Sequence, residues 1–279
     1  MSGNAGDKGA THPYVLGHSD REIKRLKDQA VLQGPITLGF FRAAGVAPGM
    51  RVLDVGSGAG DVAFLAAKIV GDSGEVVGVD LAAPGIEIAR LRAAEHSLRN
   101  VSFHVGDPAD MKFEQPFDAV LGRYVLQFQK DPAAMLRKLA AHLKPGGVAV
   151  FHEIDWGSMR SFPPAPLYNQ CCEWGQETMR LHGTETRMGA KLHATFVAAG
   201  FPAPSMRLEA IIGGGENSAP VRQLITELIA TLLPEMERLG VATASEVGIE
   251  TLAERLKSEA MSASSVFVGH HQIAAWARV

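Results

Sequence analysis

Three acids placed where apolar runs give out are the first residues of this chain with a chemical use beyond packing. Asp54 lies in Arg51-Val52-Leu53-Asp54-Val55, Asp80 closes Val76-Val77-Gly78-Val79, and Asp107 follows Val101-Ser102-Phe103-His104-Val105 and Gly106. A carboxylate at the end of a buried strand is costly unless donors meet it. Donors lie close by, because Val55 runs into Gly56-Ser57-Gly58-Ala59-Gly60 and a helix opens at Asp61. The glycines allow positive φ and close approach of a ligand, while the amides of the following helix point into the gap. Asp80 stands about 20 residues beyond the bend, where an acid accepts from both hydroxyls of a ribose. Asp107, between Gly106 and Pro108, accepts from an adenine amino group or serves as an ordinary turn acid. Asp54 either holds a ligand's ammonium group through water or caps the bend. The chemistry implied is the gripping of a nucleotide-like molecule.

These acids need a scaffold that brings distant strand ends to one edge. Val52, Leu53 and Val55 form a short apolar run suited to a covered parallel strand, and Val76 to Val79 and Val101 to Val105 repeat the pattern. Phe117 to Leu121 reads as a fourth strand, followed by Gly122-Arg123-Tyr124-Val125. Leu143-Lys144-Pro145-Gly146-Gly147 turns the chain into a fifth, Val148 to Phe151. Helices are expected between them, over Asp61 to Val70, over Pro84 to Ser97, and from Asp131-Pro132 with Met135, Leu136, Leu139 and Leu143 on one face. Strand and helix in alternation imply a parallel sheet wrapped on both sides, with ligand beyond the carboxyl ends of the strands.

This ordered set, over roughly Met50 to Glu153, resembles the class I S-adenosylmethionine-dependent methyltransferases. The array from Tyr14 to Gln33 and the ending Ala275-Trp276-Ala277-Arg278 resemble their small-molecule branch, of the ubiquinone-biosynthesis and natural-product type. The resemblance implies an α/β fold, a Rossmann-like seven-stranded, mostly parallel sheet with helices on both faces, amino-terminal helices and a helical cap inserted late in the chain. It implies S-adenosylmethionine as cofactor, held by Tyr14, Gln33, Asp54, Gly56, Ser57, Gly58, Gly60, Asp80, Leu81, Gly106, Asp107, Pro108, Arg123 and Val125. Tyr14 and Gln33 then reach the methionine end, with helix packing as the competing role. Arg123 faces cofactor or substrate, or forms a surface ion pair. The organisation that follows is residues 1–45 as tail and helical cover, 46–153 as the cofactor-binding core, and 154–279 as the rest of the sheet with covering insertions near 154–186 and 214–262.

Composition narrows the partners. The chain has 279 residues, 46% hydrophobic and 20% charged, an ordinary globular balance. A formal net charge of -3 gives no electrostatic reason to expect nucleic acid. No apolar run reaches the ~18 residues that span a bilayer, and the polar start lacks a secretory segment, so a cytoplasmic location is expected. The two cysteines, Cys171 and Cys172, are adjacent, which seldom suits a disulfide; they read as reduced and buried. No metal is expected, since HExxH and paired CxxC are missing and His270-His271 would point to opposite faces of a strand. Exchange of amino-terminal helices would make a homodimer.

Outside the core the readings are finer. Ser19-Asp20-Arg21-Glu22 matches a capping box, predicting a helix from near Asp20 to near Gln33, broken by Gly34-Pro35 before a second over Ile36 to Ala44. The long stretch Asp155 to Thr186, rich in aromatic residues, reads as a substrate wall with Trp156, Tyr168 and Trp174 facing the acceptor, against a helical packing insertion. A helix over Lys191 to Ala199, a strand near Ser205 to Ile211, a flexible Gly213-Gly214-Gly215, two amphipathic helices and a last strand near His271 to Ala277 complete the chain.

Transfer of a methyl group from a sulfonium needs alignment more than a base. A base helps when the acceptor must shed a proton. His152 and Glu153 end the fifth strand, and alternation puts one of them toward the pocket. His152 is preferred for its titration range, with a core histidine as the competing reading; His182 is the rival. A nicotinamide-dependent oxidoreductase would use similar strand and glycine logic, but the GxGxG turn and the LKPGG segment favour methyl transfer. A non-catalytic cofactor-binding module is the other alternative.

Overall fold

The computed structural model describes residues 20–262 and 264–279, with side chains from Val31 onward. In chain order the elements are α1 (Asp20–Ala43), β1 (Arg51–Val55), α2 (Asp61–Val70), β2 (Glu75–Asp80), α3 (Ala83–Glu95), β3 (Val101–Val105), β4 (Phe117–Arg123), α4 (Pro132–Ala140) and β5 (Leu143–Asp155). The rest of the chain supplies β6 (Arg160–Phe162), α5 (Pro166–Leu181), α6 (Met188–Ala198), β7 (Ser205–Glu209), β8 (Ile212–Gly214), α7 (Ala219–Leu239), the short α8 (Ala244–Val247), α9 (Ile249–Ser262), β9 (Val266–Val268) and β10 (His271–Arg278).

Seven strands form one sheet in the order β3-β2-β1-β4-β5-β10-β7. From β3 to β5 all neighbours are parallel, while β10 runs antiparallel to both β5 and β7. Alternation along the strands divides the core into two layers. Val52, Val76, Leu121 and Val150 pack with α2, α3 and Phe41 on one face. Leu53, Val77, Val120 and Phe151 pack with Leu136, Leu192 and Phe196 on the other. Helices on both faces are why these strands read as continuous apolar runs. Asp131 caps α4 as expected, its Oδ1 accepting from the Ala134 amide at 2.8 Å.

Four local expectations give way. α1 runs unbroken through Pro35, because Ile36, Phe40 and Phe41 are buried against the sheet, and the carbonyl that Pro35 cannot bond, that of Val31, belongs to an exposed residue. The Ser19 end of the proposed capping box lies outside the described residues. Strand β5 begins at Leu143 rather than Val148: Phe117 pairs with Leu143 and the next pair is Ala119 with Val148, so residues 144–147 bulge out of the ladder. The stretch after Asp155 is largely the helix α5, the packing alternative, not an irregular wall. Finally, Gly213 and Gly214 are not loose, since they lie in β8 of a small antiparallel sheet, β6-β9-β8. A Cβ on Gly213 would come within 2.1 Å of the Asn217 carbonyl oxygen, so close approach of backbone explains the glycine there.

The cap is built from α5, α7, α9 and this small sheet, around Tyr168, Leu228, Ile229, Leu256 and Phe267. Among the described residues no helix is long and apolar enough to cross a membrane.

Candidate functional site

The glycine bend and the ends of β2 and β3 meet on one edge of the sheet. Gly56, Gly58 and Gly60 all take positive φ, 66°, 49° and 90°, where a side chain is strained. The amides of Gly56 and Ser57 donate to the Val79 carbonyl at 2.9 and 3.1 Å, which fastens the bend to β2. Asp80 completes the join. Its Oδ2 accepts from the Gly58 amide and its Oδ1 from the Ala82 amide, both at 2.8 Å, and its carbonyl accepts from the Gly106 amide at 2.9 Å. Leu81, beside it, is 61% exposed and gives this edge an apolar surface. Val125 closes over the bend from the β4 side, so that a Cβ on Gly56 would come within 2.7 Å of its Cγ2.

Asp54, on β1, is wholly buried behind this edge; among the described residues neither carboxylate oxygen makes a well-formed hydrogen bond, the Ala63 amide at the start of α2 being its nearest donor. Burial pushes its pKa well above the ordinary carboxylate value; the Arg123 guanidinium and the Ala63 amide oppose this, and the Asp80 and Asp61 carboxylates add to it. The Ser57 hydroxyl is buried and makes no hydrogen bond among the described residues. Asp107 is exposed, and its Oδ1 accepts from the Ala109 amide at 2.9 Å. Pro108 is buried, with its carbonyl 2.9 Å from His142 Nε2.

A polar network joins α1 to the ends of β4, β5 and β10. The Tyr124 phenol donates to Gln33 Oε1 at 2.6 Å and also faces Gln272 Oε1. Gln272 Oε1 lies 2.7 Å from His152 Nε2, and His152 Nδ1 lies 3.3 Å from Thr37 Oγ1. Arg123 Nη1 donates to the same Thr37 oxygen at 3.3 Å. Tyr124 holds a φ of 59°, a strained position for a non-glycine residue at a strand end. Gln33 is part of this network, and Tyr14 lies outside the described residues. Tyr124, Thr37 and Gln272 were not singled out from the sequence. Tyr124 sat in the stretch after β4, but Gln272 gave no signal, because its place depends on β10 pairing with β5.

Both candidate bases on β5 lie in enclosed surroundings. His152 is fully buried, edge-on to Phe40 and Tyr124, and burial with the nearby Arg123 charge pushes its pKa down to about 3, against the pull of Gln272. Such burial is what the competing reading, a core histidine, expects. Glu153 points the other way and accepts from the Val125 and Leu126 amides at 2.9 and 2.7 Å through Oε1. It holds the loop after β4 in place, and burial pushes its pKa up to about 8, partly offset by those amides.

The cap residues chosen from sequence are also drawn into packing. Trp156 is buried and donates from Nε1 to Gln127 Oε1 at 3.0 Å. Tyr168 is fully buried, stacks on Phe267 at 4.1 Å and donates its hydroxyl to the Val268 carbonyl at 2.8 Å. Neither presents a free aromatic face to an acceptor. Trp174 is half-buried beside a groove of about 340 Å³ whose other lining residues, among them Glu173, Glu177, Leu181 and Val241, all belong to α5 or the turn after α7. The structure therefore places it on the cap and not on the sheet edge. His182 Nδ1 lies 3.1 Å from Glu235 Oε1, tying the end of α5 to α7. Cys171 and Cys172 are free and buried, and burial pushes the Cys171 thiol up to about 12. Among the described residues no group of three or more His, Cys, Asp or Glu could hold a metal ion.

A family model described as a methyltransferase domain matches residues 47–200. A ubiquinone biosynthesis O-methyltransferase of Xanthomonas campestris pv. campestris is 38% identical over 115 residues, 40% of this chain and 46% of that protein. The chain thus spans about half the length of the curated relatives it matches. Among solved structures, a geranyl diphosphate C-methyltransferase from Streptomyces coelicolor A3(2), bound to S-adenosylhomocysteine, superposes with a TM-score of 0.55 over 97% of this chain and 90% of its own, at 20% identity. A [4+2]-cyclase superposes with a TM-score of 0.54 over 88% of this chain and 80% of its own, also at 20% identity. Likeness at that level establishes the fold, and the cyclase shows that the fold carries more than one chemistry.

Proposed function

Because the chain belongs to the methyltransferase-domain family, we propose that it moves the methyl group of S-adenosylmethionine to a small, largely apolar or aromatic acceptor. The observation that carries this reading is the meeting, at one sheet edge, of the Gly56 to Gly60 bend, the Asp80 carboxylate and the buried Asp54 carboxylate, which makes no well-formed hydrogen bond among the described residues. The residues present suit the cofactor's parts. Asp80, held in place by two amides, suits a ribose diol, and a buried carboxylate short of donors, such as Asp54, suits an ammonium group. Leu81 and the Gly106 to Pro108 bend suit an adenine ring, and Val125 and Arg123 border the way from the bend to the network around Tyr124.

When bound, S-adenosylmethionine supplies an electrophilic methyl group on a positively charged sulfur. The chain's own share is to align the acceptor and to keep water out. His152 is enclosed and Glu153 is engaged with two amides, so neither stands ready to take an acceptor's proton. We therefore favour an acceptor whose own acidity supplies the nucleophile, such as a phenol, enol or quinol, over one that needs a strong base. Cytoplasmic residence is part of the proposal.

Calorimetric titration with S-adenosylmethionine, on the wild type and on Asp80→Ala, tests the binding half. Failure of the wild type to bind removes the basis of the reading. Release of S-adenosylhomocysteine across a panel of phenols and quinols tests the transfer half. The nicotinamide alternative finds no support in the comparisons, and saturable binding of NADH in place of S-adenosylmethionine would reinstate it.

A further inference from the structure

Near the end of α3, Arg92 turns inward toward the glycine bend. Its Nη1 donates to the Ala59 carbonyl at 2.6 Å and its Nη2 to Asp61 Oδ1 at 2.7 Å, and the Arg92 and Asp61 side chains are only 15% and 10% exposed. One planar fork from α3 thus holds both a carbonyl inside the bend and the acid at the first position of α2. The guanidinium also lies 5.0 Å from the centre of the Phe64 ring, which meets Phe103 edge-on at 5.8 Å. Phe64 and Phe103 fill the space against Gly60, where a Cβ would come within 2.9 Å of the ring tip of each.

We infer that Arg92 is a positioning residue for cofactor binding, setting the peptide orientation of the bend from the side away from the ligand. The inference rests on the reading of this bend as the cofactor site. The carbonyl and N–H of one peptide unit point in opposite directions. With the Ala59 oxygen held by Arg92, the Gly60 N–H is aimed at the Ser57 carbonyl, which it meets at 2.8 Å. That bond closes the turn from which the Gly58 amide reaches Asp80. The second arm of the fork acts through charge. An unpaired Asp61 would place a negative charge at the amino end of α2, where a ligand's carboxylate is otherwise favoured, and Arg92 neutralises it.

Arg90, two residues earlier on the same helix, supplies the control. It donates from Nε and Nη2 to the Phe103 carbonyl and from Nη1 to Glu87, tying α3 to β3 without touching the bend. Full-length wild type, Arg92→Met, Arg92→Lys and Arg90→Met are to be titrated with S-adenosylhomocysteine, with hydrogen exchange of the bend amides followed in the ligand-free proteins. Arg92→Met is expected to bind about tenfold more weakly than Arg90→Met, with faster exchange at Gly60 and Asp61, and Arg92→Lys, which keeps the charge but loses the planar two-armed fork, to fall between. Equal affinity and equal exchange in Arg92→Met and Arg90→Met overturn the inference. Should Arg92→Met not fold, Arg92→Lys indistinguishable from wild type in both measurements overturns it. A wild type that does not bind S-adenosylhomocysteine defeats the cofactor reading and, with it, the role given to Arg92 in binding. Wild-type binding with the loss confined to the Arg92 variants upholds both.

Discussion

At the glycine bend, Asp54 is fully buried and its carboxylate oxygens make no well-formed hydrogen bond among the described residues; in the cap, the equally buried Tyr168 spends its hydroxyl on the Val268 carbonyl and Trp156 its indole N–H on Gln127. A buried carboxylate short of donors is costly, and burial has already raised its pKa. Such a cost persists where a ligand offsets it, whereas the aromatic side chains of the cap are spent on holding α5, α7 and the small sheet together. The contrast between the Asp54 carboxylate and the aromatic side chains of the cap is what the proposed reading of the bend as a binding site rests on. An abundance of aromatic residues in a covering segment is therefore a poor guide to where an acceptor lies.

The contrast breaks most directly at Asp80. Replacing it with Ala removes the acceptor for the Gly58 and Ala82 amides as well as the proposed ribose ligand. Affinity for S-adenosylhomocysteine is expected to fall about 100-fold, roughly 3 kcal/mol, by calorimetry. Next is Gly56→Ala, which meets both a φ of 66° and Val125 Cγ2 at 2.7 Å. Thermal or urea unfolding should show a loss of about 2 kcal/mol, accompanied by weaker cofactor binding.

Glu153→Gln sharpens the comparison through pH. The folded pKa of Glu153 is raised to about 8 from an ordinary value of 4.5, so the folded state holds this proton more tightly than the unfolded chain does. Its contribution to stability is fully present below pH 4.5 and is lost as pH rises through 8. Glutamine cannot ionise and still offers an oxygen to the Val125 and Leu126 amides. Urea unfolding from pH 5 to 9 should therefore decline less steeply in the variant than in the wild type. The smallest change is expected for Tyr168→Phe, about 1 kcal/mol of stability from one lost hydrogen bond, with cofactor affinity unchanged in the same titration. A large loss of cofactor affinity in that variant would erase the distinction between the two regions.

The core was legible where local pattern and structure share a cause. Covered parallel strands need apolar runs, the bend needs glycines, and Asp131-Pro132 caps α4, so β1 through α4 and the acids at the strand ends could be read directly. The seven-stranded sheet was an expectation of the family resemblance, and the structure has it. The cap was less legible because β6, β8 and β9 have three residues each, too few to show a period. The passage of α1 through Pro35 was hidden for a related reason, since burial of Phe40 and Phe41 outweighs one missing helix bond and only the folded sheet supplies that burial.

For the candidate site, sequence alone determined that Asp54, the glycine bend, Asp80 and Gly106 would share one edge, because consecutive parallel strands must end on the same side. Alternation also determined that His152 and Glu153 would face opposite ways. Only the tertiary structure decided what each of them meets. His152 lies against Gln272, 120 residues away, and Glu153 against the loop after β4, while Trp156 and Tyr168 turn into the cap. A side chain's type is local information, but its burial, its partner and hence its pKa are set by residues that only folding brings near.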